Sequence, residues 1–186
     1  PAGVSLTPDS ITVRGLLLRQ VNGPGLIAVD GRLPPTEQTT LRIDVAALPL
    51  TAFAGFVRGE LPVAGVLWGT VVIAGPAEAP VATGDFRLTE GRLLDVAMSW
   101  FTANARYEAG SLALVATALP AEGGRPLELR ASVPARLELG IVPSLTTVES
   151  GPVDGRIVVD SLPLGVLAAL TPQVTQPEGF LSGTAT

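Results

Sequence analysis

Leu41-Arg-Ile-Asp-Val45, Asp85-Phe-Arg-Leu-Thr89 and Leu127-Glu-Leu-Arg-Ala131 alternate apolar and polar residues without a break. A period of two puts every second side chain on one face of a strand, so each stretch predicts a strand with one apolar and one wet face. Leu137-Glu-Leu139, Arg156-Ile-Val-Val-Asp160 and Phe101-Thr-Ala-Asn-Ala-Arg-Tyr107 carry the same signal. Residues 66–73 and 112–115 are more continuously apolar and read as strands covered on both sides, or as strands against a helix. Gly and Pro, 21 and 17 of 186 residues, interrupt the chain too often for long helices. Asn22-Gly-Pro-Gly25 and Glu122-Gly-Gly124 predict turns, and Glu90-Gly91, Ala109-Gly110 and Asp154-Gly155 predict tighter hairpin turns. Val29-Asp-Gly-Arg32 and Val153-Asp-Gly-Arg156 are near copies. The fold class expected is all-β, an elongated antiparallel meander.

The segments at residues 48–70, LPLTAFAGFVRGELPVAGVLWGT, and 162–184, LPLGVLAALTPQVTQPEGFLSGT, align without a gap at an offset of 114 residues. Both begin Leu-Pro-Leu and end Gly-x-x-x-Gly-Thr. A long regular period points to an array in which each unit covers its neighbour. The expected organisation is residues 1–47 as the end of a preceding unit, 48–161 as one unit, and 162–186 as the truncated start of the next. Each copy opens on an expected short amphipathic helix, residues 49–57 and 163–170. Pro stands at the first helical position, and Leu50, Phe53, Ala54 and Val57 recur at helical spacing.

Composition narrows the function classes. Net charge is −5, and all 12 basic residues are Arg, dispersed along the chain. Nucleic-acid binding and a polybasic membrane patch both need clustered cations. Without Cys there is no disulfide framework, and without His or Cys neither a nucleophile–His pair nor a Cys-based zinc site can form. Without Lys there is no Walker-type phosphate loop. Gly23-Pro-Gly25 lacks the third glycine of a dinucleotide fingerprint and reads as a turn. The Asp and Glu residues read as solvated strand charges in preference to a glycosidase acid pair. The chain therefore reads as a non-enzyme without catalytic residues, metal or cofactor. The glycines of Gly-x-x-x-Gly-Thr read as sites of close helix approach or a bulge. Trp68 and Trp100 read as packing anchors in preference to sugar platforms. No apolar run approaches the roughly 20 residues of a membrane helix.

A meander with one apolar face must cover that face. A closed sandwich does so, and so does a trough whose covering is a ligand; the pattern leaves both open. In a trough the lining is Leu41, Ile43, Val45, Phe86, Leu88, Leu127, Leu129, Leu137, Leu139, Ile157 and Val159. Arg42, Asp44, Arg87, Glu128, Arg130 and Glu138 then face water. A one-residue register shift reverses every assignment.

The succession Leu48-Pro-Leu, Leu61-Pro-Val-Ala-Gly65, Gly69-Thr70, Ala79-Pro80 and Gly84-Asp-Phe-Arg-Leu-Thr-Glu-Gly91 resembles the C-terminal region of the TamB family, the translocation and assembly module subunits of the AsmA-like group. Tyr107-Glu-Ala-Gly-Ser-Leu-Ala-Leu114, Gly123-Gly124 and Leu127-Glu-Leu129 continue the pattern; residues 141–150 depart from it and leave the strand count between the two copies open. The resemblance implies a β-taco, a long sheet curled into a U-shaped apolar groove. It implies an inner-membrane-anchored protein of a diderm bacterium that crosses the periplasm. The implied roles are phospholipid transport to the outer membrane and assembly of outer-membrane β-barrels. The implied partners are phospholipid or another acyl-chain ligand, an Omp85-type outer-membrane barrel assembly protein, and unfolded outer-membrane proteins. A groove that carries lipid need only match the bilayer, because each buried methylene is worth about 0.8 kcal/mol in either place. A smooth aliphatic lining does this, whereas an aromatic pocket with convergent polar groups holds one ligand. The alternative expectation is a structural or adhesive β-solenoid or sandwich module with a dry core that binds protein partners.

Overall fold

The computed structural model describes residues 3–7, 10–33, 38–53, 63–76, 78–93, 96–121, 125–139, 144–147, 154–163 and 180–185. The strands are β1 (Gly3–Thr7), β2 (Ser10–Arg19), β3 (Leu26–Leu33), β4 (Gln38–Pro49), β5 (Val63–Pro76), β6 (Val81–Leu93), β7 (Val96–Glu108), β8 (Ser111–Pro120), β9 (Leu127–Glu138), β10 (Ser144–Thr147), β11 (Asp154–Pro163) and β12 (Phe180–Ala185). They form one antiparallel 12-stranded sheet in chain order from β1 to β9, followed by β11 and β12, with β10 on β9. The sheet is open, with β1 and β12 as its ends among the described residues. β10 and β11 both pair with β9, Thr147 opposite Ala135 and Asp154 opposite Ser132.

Register decides the faces, because residues directly opposite one another point to the same side. One row runs Val4, Val13, Gly31, Leu41, Ile73, Ala82, Tyr107, Leu112, Val133, from β1 to β9. Another runs Val45, Gly69, Phe86, Ala103, Ala116, Leu129, Ile157. The adjoining row of opposite sense runs Asp44, Thr70, Asp85, Asn104, Val115, Arg130, Arg156. The sheet thus has one continuous apolar face and one hydrophilic face. The large buried apolar side chains Leu41, Leu48, Ile73, Leu88, Met98 and Tyr107 lie on the apolar face of β4–β7. Val4, Leu18, Leu129 and Leu145, on the same face nearer its margins, are 54%, 52%, 36% and 48% exposed.

Extra residues are absorbed by bulges, which locally sharpen the twist. In β2 the register shifts between Val13 and Leu16; Gly15 takes φ 56° and donates its N–H to Asp30 Oδ1 at 3.1 Å. The duplicated segments share a pairing pattern to the residue. Val45 opposes Gly69, the register shifts, and Leu48 and Pro49 oppose Leu67 and Val66. Val159 opposes Gly183, the register shifts, and Leu162 and Pro163 oppose Leu181 and Phe180. Each pair in the second copy stands 114 residues after its counterpart.

Several expectations need correction. The helix expected over residues 49–57 is absent from its first half: Pro49 ends β4 and Leu50–Phe53 form one 3-10 turn. An isolated helix of nine residues is too short to stand on its own propensity, and burial of Leu48 against the sheet holds this stretch extended. Pro is tolerated there because the last residue of a strand need not donate to the ladder. In the second copy Pro163 ends β11, and the remainder of the expected helix lies outside the described residues. Asn22–Gly25 and Ala109–Gly110 do form turns, with Asn22, Ala109 and Gly110 at φ 63°, 50° and 78°. Glu90-Gly91 is not a hairpin turn but lies within β6, where Glu90 takes φ 53° beside a register shift against β5. Asp154-Gly155 opens β11 and pairs with β9. The expected turn at 122–124 lies outside the described residues.

Candidate functional site: the apolar sheet face

Leu41, Ile43 and Val45 of β4, Phe86 and Leu88 of β6, and Leu127, Leu129 and Leu137 of β9 stand on the apolar face. Ile157 and Val159 lie in β11, where the backbone of Ile157 pairs with Leu129 and that of Val159 with Gly183. Leu139 is the residue after β9 ends and is half-buried. The expected wet residues Arg42, Asp44, Arg87, Glu128, Arg130 and Glu138 fall on the other face through the same registers.

A cavity of about 320 Å³ opens on the apolar face. Val71 and Ile73 of β5, Phe86 of β6, Tyr107 of β7, Leu112 of β8, Leu137 of β9 and Leu145 of β10 border it. Of the expected lining, Phe86 and Leu137 border this cavity; Leu41, Ile43, Val45, Leu88, Leu127 and Leu129 lie elsewhere on the same face. Val71 and Ile73 escaped the sequence reading because residues 66–73 look apolar throughout. In the structure Leu67, Gly69, Val71 and Ile73 take the apolar side, and Trp68, Thr70 and Val72 the hydrophilic side. Tyr107 was the last residue of a recognised alternating stretch, and its parity with Ala103 and Ala105 carried the missing signal.

Phe86 is seated by two glycines. A Cβ on Gly84 would lie 2.7 Å from Phe86 Cε2, and one on Gly69 would lie 2.6 Å from Phe86 Cδ1. The ring therefore occupies the space that both glycines leave. This corrects the expectation for the glycine of Gly69-Thr70: it admits an aromatic ring from the neighbouring strand, not a helix.

The hydrophilic face is organised by pairs two residues apart on one strand. Arg42 donates from Nε and Nη2 to the two oxygens of Asp44 at 2.7 Å, and Thr70 Oγ1 donates to Asp44 Oδ1 at 2.6 Å. The hydrogen bond from Arg42, then that from Thr70, holds the Asp44 carboxyl below its ordinary range. Asp44 in turn raises the Arg42 guanidinium, first by that hydrogen bond and then by its charge. Arg106 pairs with Glu108 at 2.7 Å, and Arg130 with Glu128. Such exposed pairs add little stability; they keep this face wet. Trp68 corrects its expectation as a packing anchor, since it is 44% exposed on this charged face.

No grouping of three or more potential metal ligands occurs among the described residues. No family model, curated protein or solved structure matches the chain.

Proposed function

We propose that the chain is a segment of a TamB-like, bridge-type protein whose apolar sheet face curls into a U-shaped trough for acyl chains. In this reading the full protein is anchored in the inner membrane of a diderm bacterium and crosses the periplasm. It moves phospholipid toward the outer membrane, or guides outer-membrane β-barrels to an Omp85-type assembly partner. The observation that carries the reading is the continuity of the apolar face across nine successive strands, with all the charge it could have carried on the reverse. Curvature is supported by the cavity. On a flat sheet Val71 of β5 and Leu137 of β9, four strands apart and six residues out of register, would stand roughly 28 Å apart, yet both border one cavity of about 320 Å³. The exposed margin at Leu129 and Leu145 is where an acyl chain would enter.

A second reading, a dry scaffold acting through protein contacts, is favoured by one observation: the protein's own side chains leave Leu41, Ile73 and Leu88 only 4–5% exposed. Mass spectrometry of organic extracts from the chain, purified without detergent after expression in the periplasm, separates the two. Stoichiometric phospholipid or fatty acid supports the trough. A folded, lipid-free protein that takes up no fluorescent acyl probe rules it out.

A further inference from the structure

On the hydrophilic face, three Arg–carboxylate pairs two residues apart close on themselves: Arg42 with Asp44, Arg106 with Glu108 and Arg130 with Glu128. Asp85 and Arg87 of β6 have the same spacing and the same face, yet they do not pair. Asp85 Oδ1 accepts from Asn104 Nδ2 at 2.5 Å across the strands. Among the described residues the Arg87 guanidinium makes no ion pair or side-chain hydrogen bond, nor does the Thr102 hydroxyl opposite it. Directly across from Arg87 on the other side stands Trp68, its indole 44% exposed. A shallow cleft of about 370 Å³ is bordered by Trp68, Asp85, Arg87, Thr102 and Asn104.

Trp100 belongs to the same face. It precedes Thr102 by two residues on β7 and opposes Leu119. β5 and β7 flank β6, so the strands carrying the two tryptophans lie about 10 Å apart, with Arg87 and Thr89 on the strand between them.

We propose that Trp68, Arg87, Thr102, Asp85 and Asn104 form a carbohydrate-binding patch on the hydrophilic face, with Trp100 as a second platform for an adjoining sugar. The chemistry is complementary group by group. The C–H face of a pyranose stacks on an indole. The free carboxylate oxygen of Asp85 and the amide oxygen of Asn104 accept from neighbouring hydroxyls. Arg87 and Thr102 donate to hydroxyl, ring or uronate oxygens. All five residues stand on strand interiors whose register is pinned on both sides, which fixes their spacing, and the Asn104–Asp85 hydrogen bond holds two of the side chains in place. A protein partner fits less well: hot-spot aromatics sit in packed, desolvated centres of large patches, whereas Trp68 is ringed by Arg, Asp and Thr.

The test is an NMR titration of the ¹⁵N-labelled chain, following the two indole N–H resonances as maltotriose, cellotriose, chitotriose and trigalacturonate are added at millimolar concentration. The expected result is a saturable shift of the Trp68 indole with at least one oligosaccharide, lost in Trp68→Ala. Arg87→Ala should weaken it about tenfold, a loss of roughly 1.4 kcal/mol, and most for trigalacturonate. Both variants alter exposed positions, and unchanged backbone spectra will show that they fold. Absence of any shift with all four sugars overturns the proposal, as does a shift that survives Trp68→Ala. Indole shifts that follow protein concentration instead of added sugar assign the patch to a protein contact and overturn it equally.

Discussion

Gly84→Ala tests whether the apolar face is packed as described. The new Cβ would arrive 2.7 Å from Phe86 Cε2 and 3.0 Å from Cζ. Carbon atoms prefer about 3.5–4.0 Å, so the ring must swing by nearly an ångström, at a cost of about 1–3 kcal/mol for overpacking. Every close atom belongs to that one side chain, so the cost should vanish when the ring is removed. In a Phe86→Ala background, Gly84→Ala should be neutral or stabilising by about 0.4–1 kcal/mol, the usual gain from restricting the unfolded chain. This holds because Gly84 is not a positive-φ position. Gly69→Ala is the internal control. Its Cβ would also lie 2.7 Å from the Asp85 carbonyl oxygen, which is backbone and stays when Phe86 is shortened. Urea unfolding monitored by far-ultraviolet circular dichroism gives the four stabilities of each cycle at unchanged slope. The expected coupling between Gly84 and Phe86 is about 1–3 kcal/mol, with a residual Gly69→Ala penalty in the Phe86→Ala protein. Additivity of Gly84→Ala and Phe86→Ala within about 0.5 kcal/mol would show that the ring does not lie over Gly84, and the face assignment of β6 would fall with it.

Leu88→Arg should unfold the chain, because Leu88 is 4% exposed and the charge would be buried without a partner. Leu129→Arg, at a position 36% exposed, should leave circular dichroism and the unfolding midpoint close to wild type but abolish uptake of an acyl probe; equal behaviour of the two variants contradicts the division into closed centre and open margin. The Asp44 carboxyl is lowered in the fold, so its contribution is present above the ordinary carboxylate range and is lost as pH falls through the lowered value. Asp44→Asn should therefore lower stability slightly at neutral pH and flatten the acid limb of the stability–pH curve, the two proteins converging at low pH; the effect is small because the pair is solvent-exposed. A steeper acid limb in the variant would contradict the sign.

Strands were legible wherever one side was polar. Leu41 to Val45, Asp85 to Thr89 and Leu127 to Ala131 each declare their face by alternation, and the observed registers put those faces on one side of one sheet. β5 was not legible in this way. Val72 on its hydrophilic side is aliphatic and Gly69 on its apolar side has no side chain, so only pairing with β4 and β6 separates the faces. Pro49 and Leu50 misled because the same residues that cap a helix also end a strand, and the choice was made by burial of Leu48. Glu90-Gly91 misled for a related reason: turn residues serve a bulge inside a long strand as well as a hairpin. The cavity was half legible. Phe86 and Leu137 were readable from parity, whereas Leu145 joins them through pairing with Leu137 on a short strand that carries no pattern of its own. The Trp68 patch was not legible, because nothing in one strand's sequence reveals that Asp85 turns away from Arg87 toward Asn104.

The duplicated hairpin repeats its irregularity as well as its sequence. Val45 to Pro49 against β5, and Val159 to Pro163 against β12, repeat the same bulge at the same place. A bulge bends the strand that carries it, so the bend recurs at the interval of the sequence repeat.

Photo-crosslinking in living cells tests the central claim most directly, with a photoreactive residue at Leu129 and, separately, at its neighbour Arg130. Leu129 stands on the apolar face opposite Ala116, and Arg130 on the hydrophilic face opposite Val115. A lipid adduct at position 129 and none at position 130 is the predicted result. Adducts at both positions, or at neither in a folded protein, would contradict an acyl-lined trough on this face of the sheet.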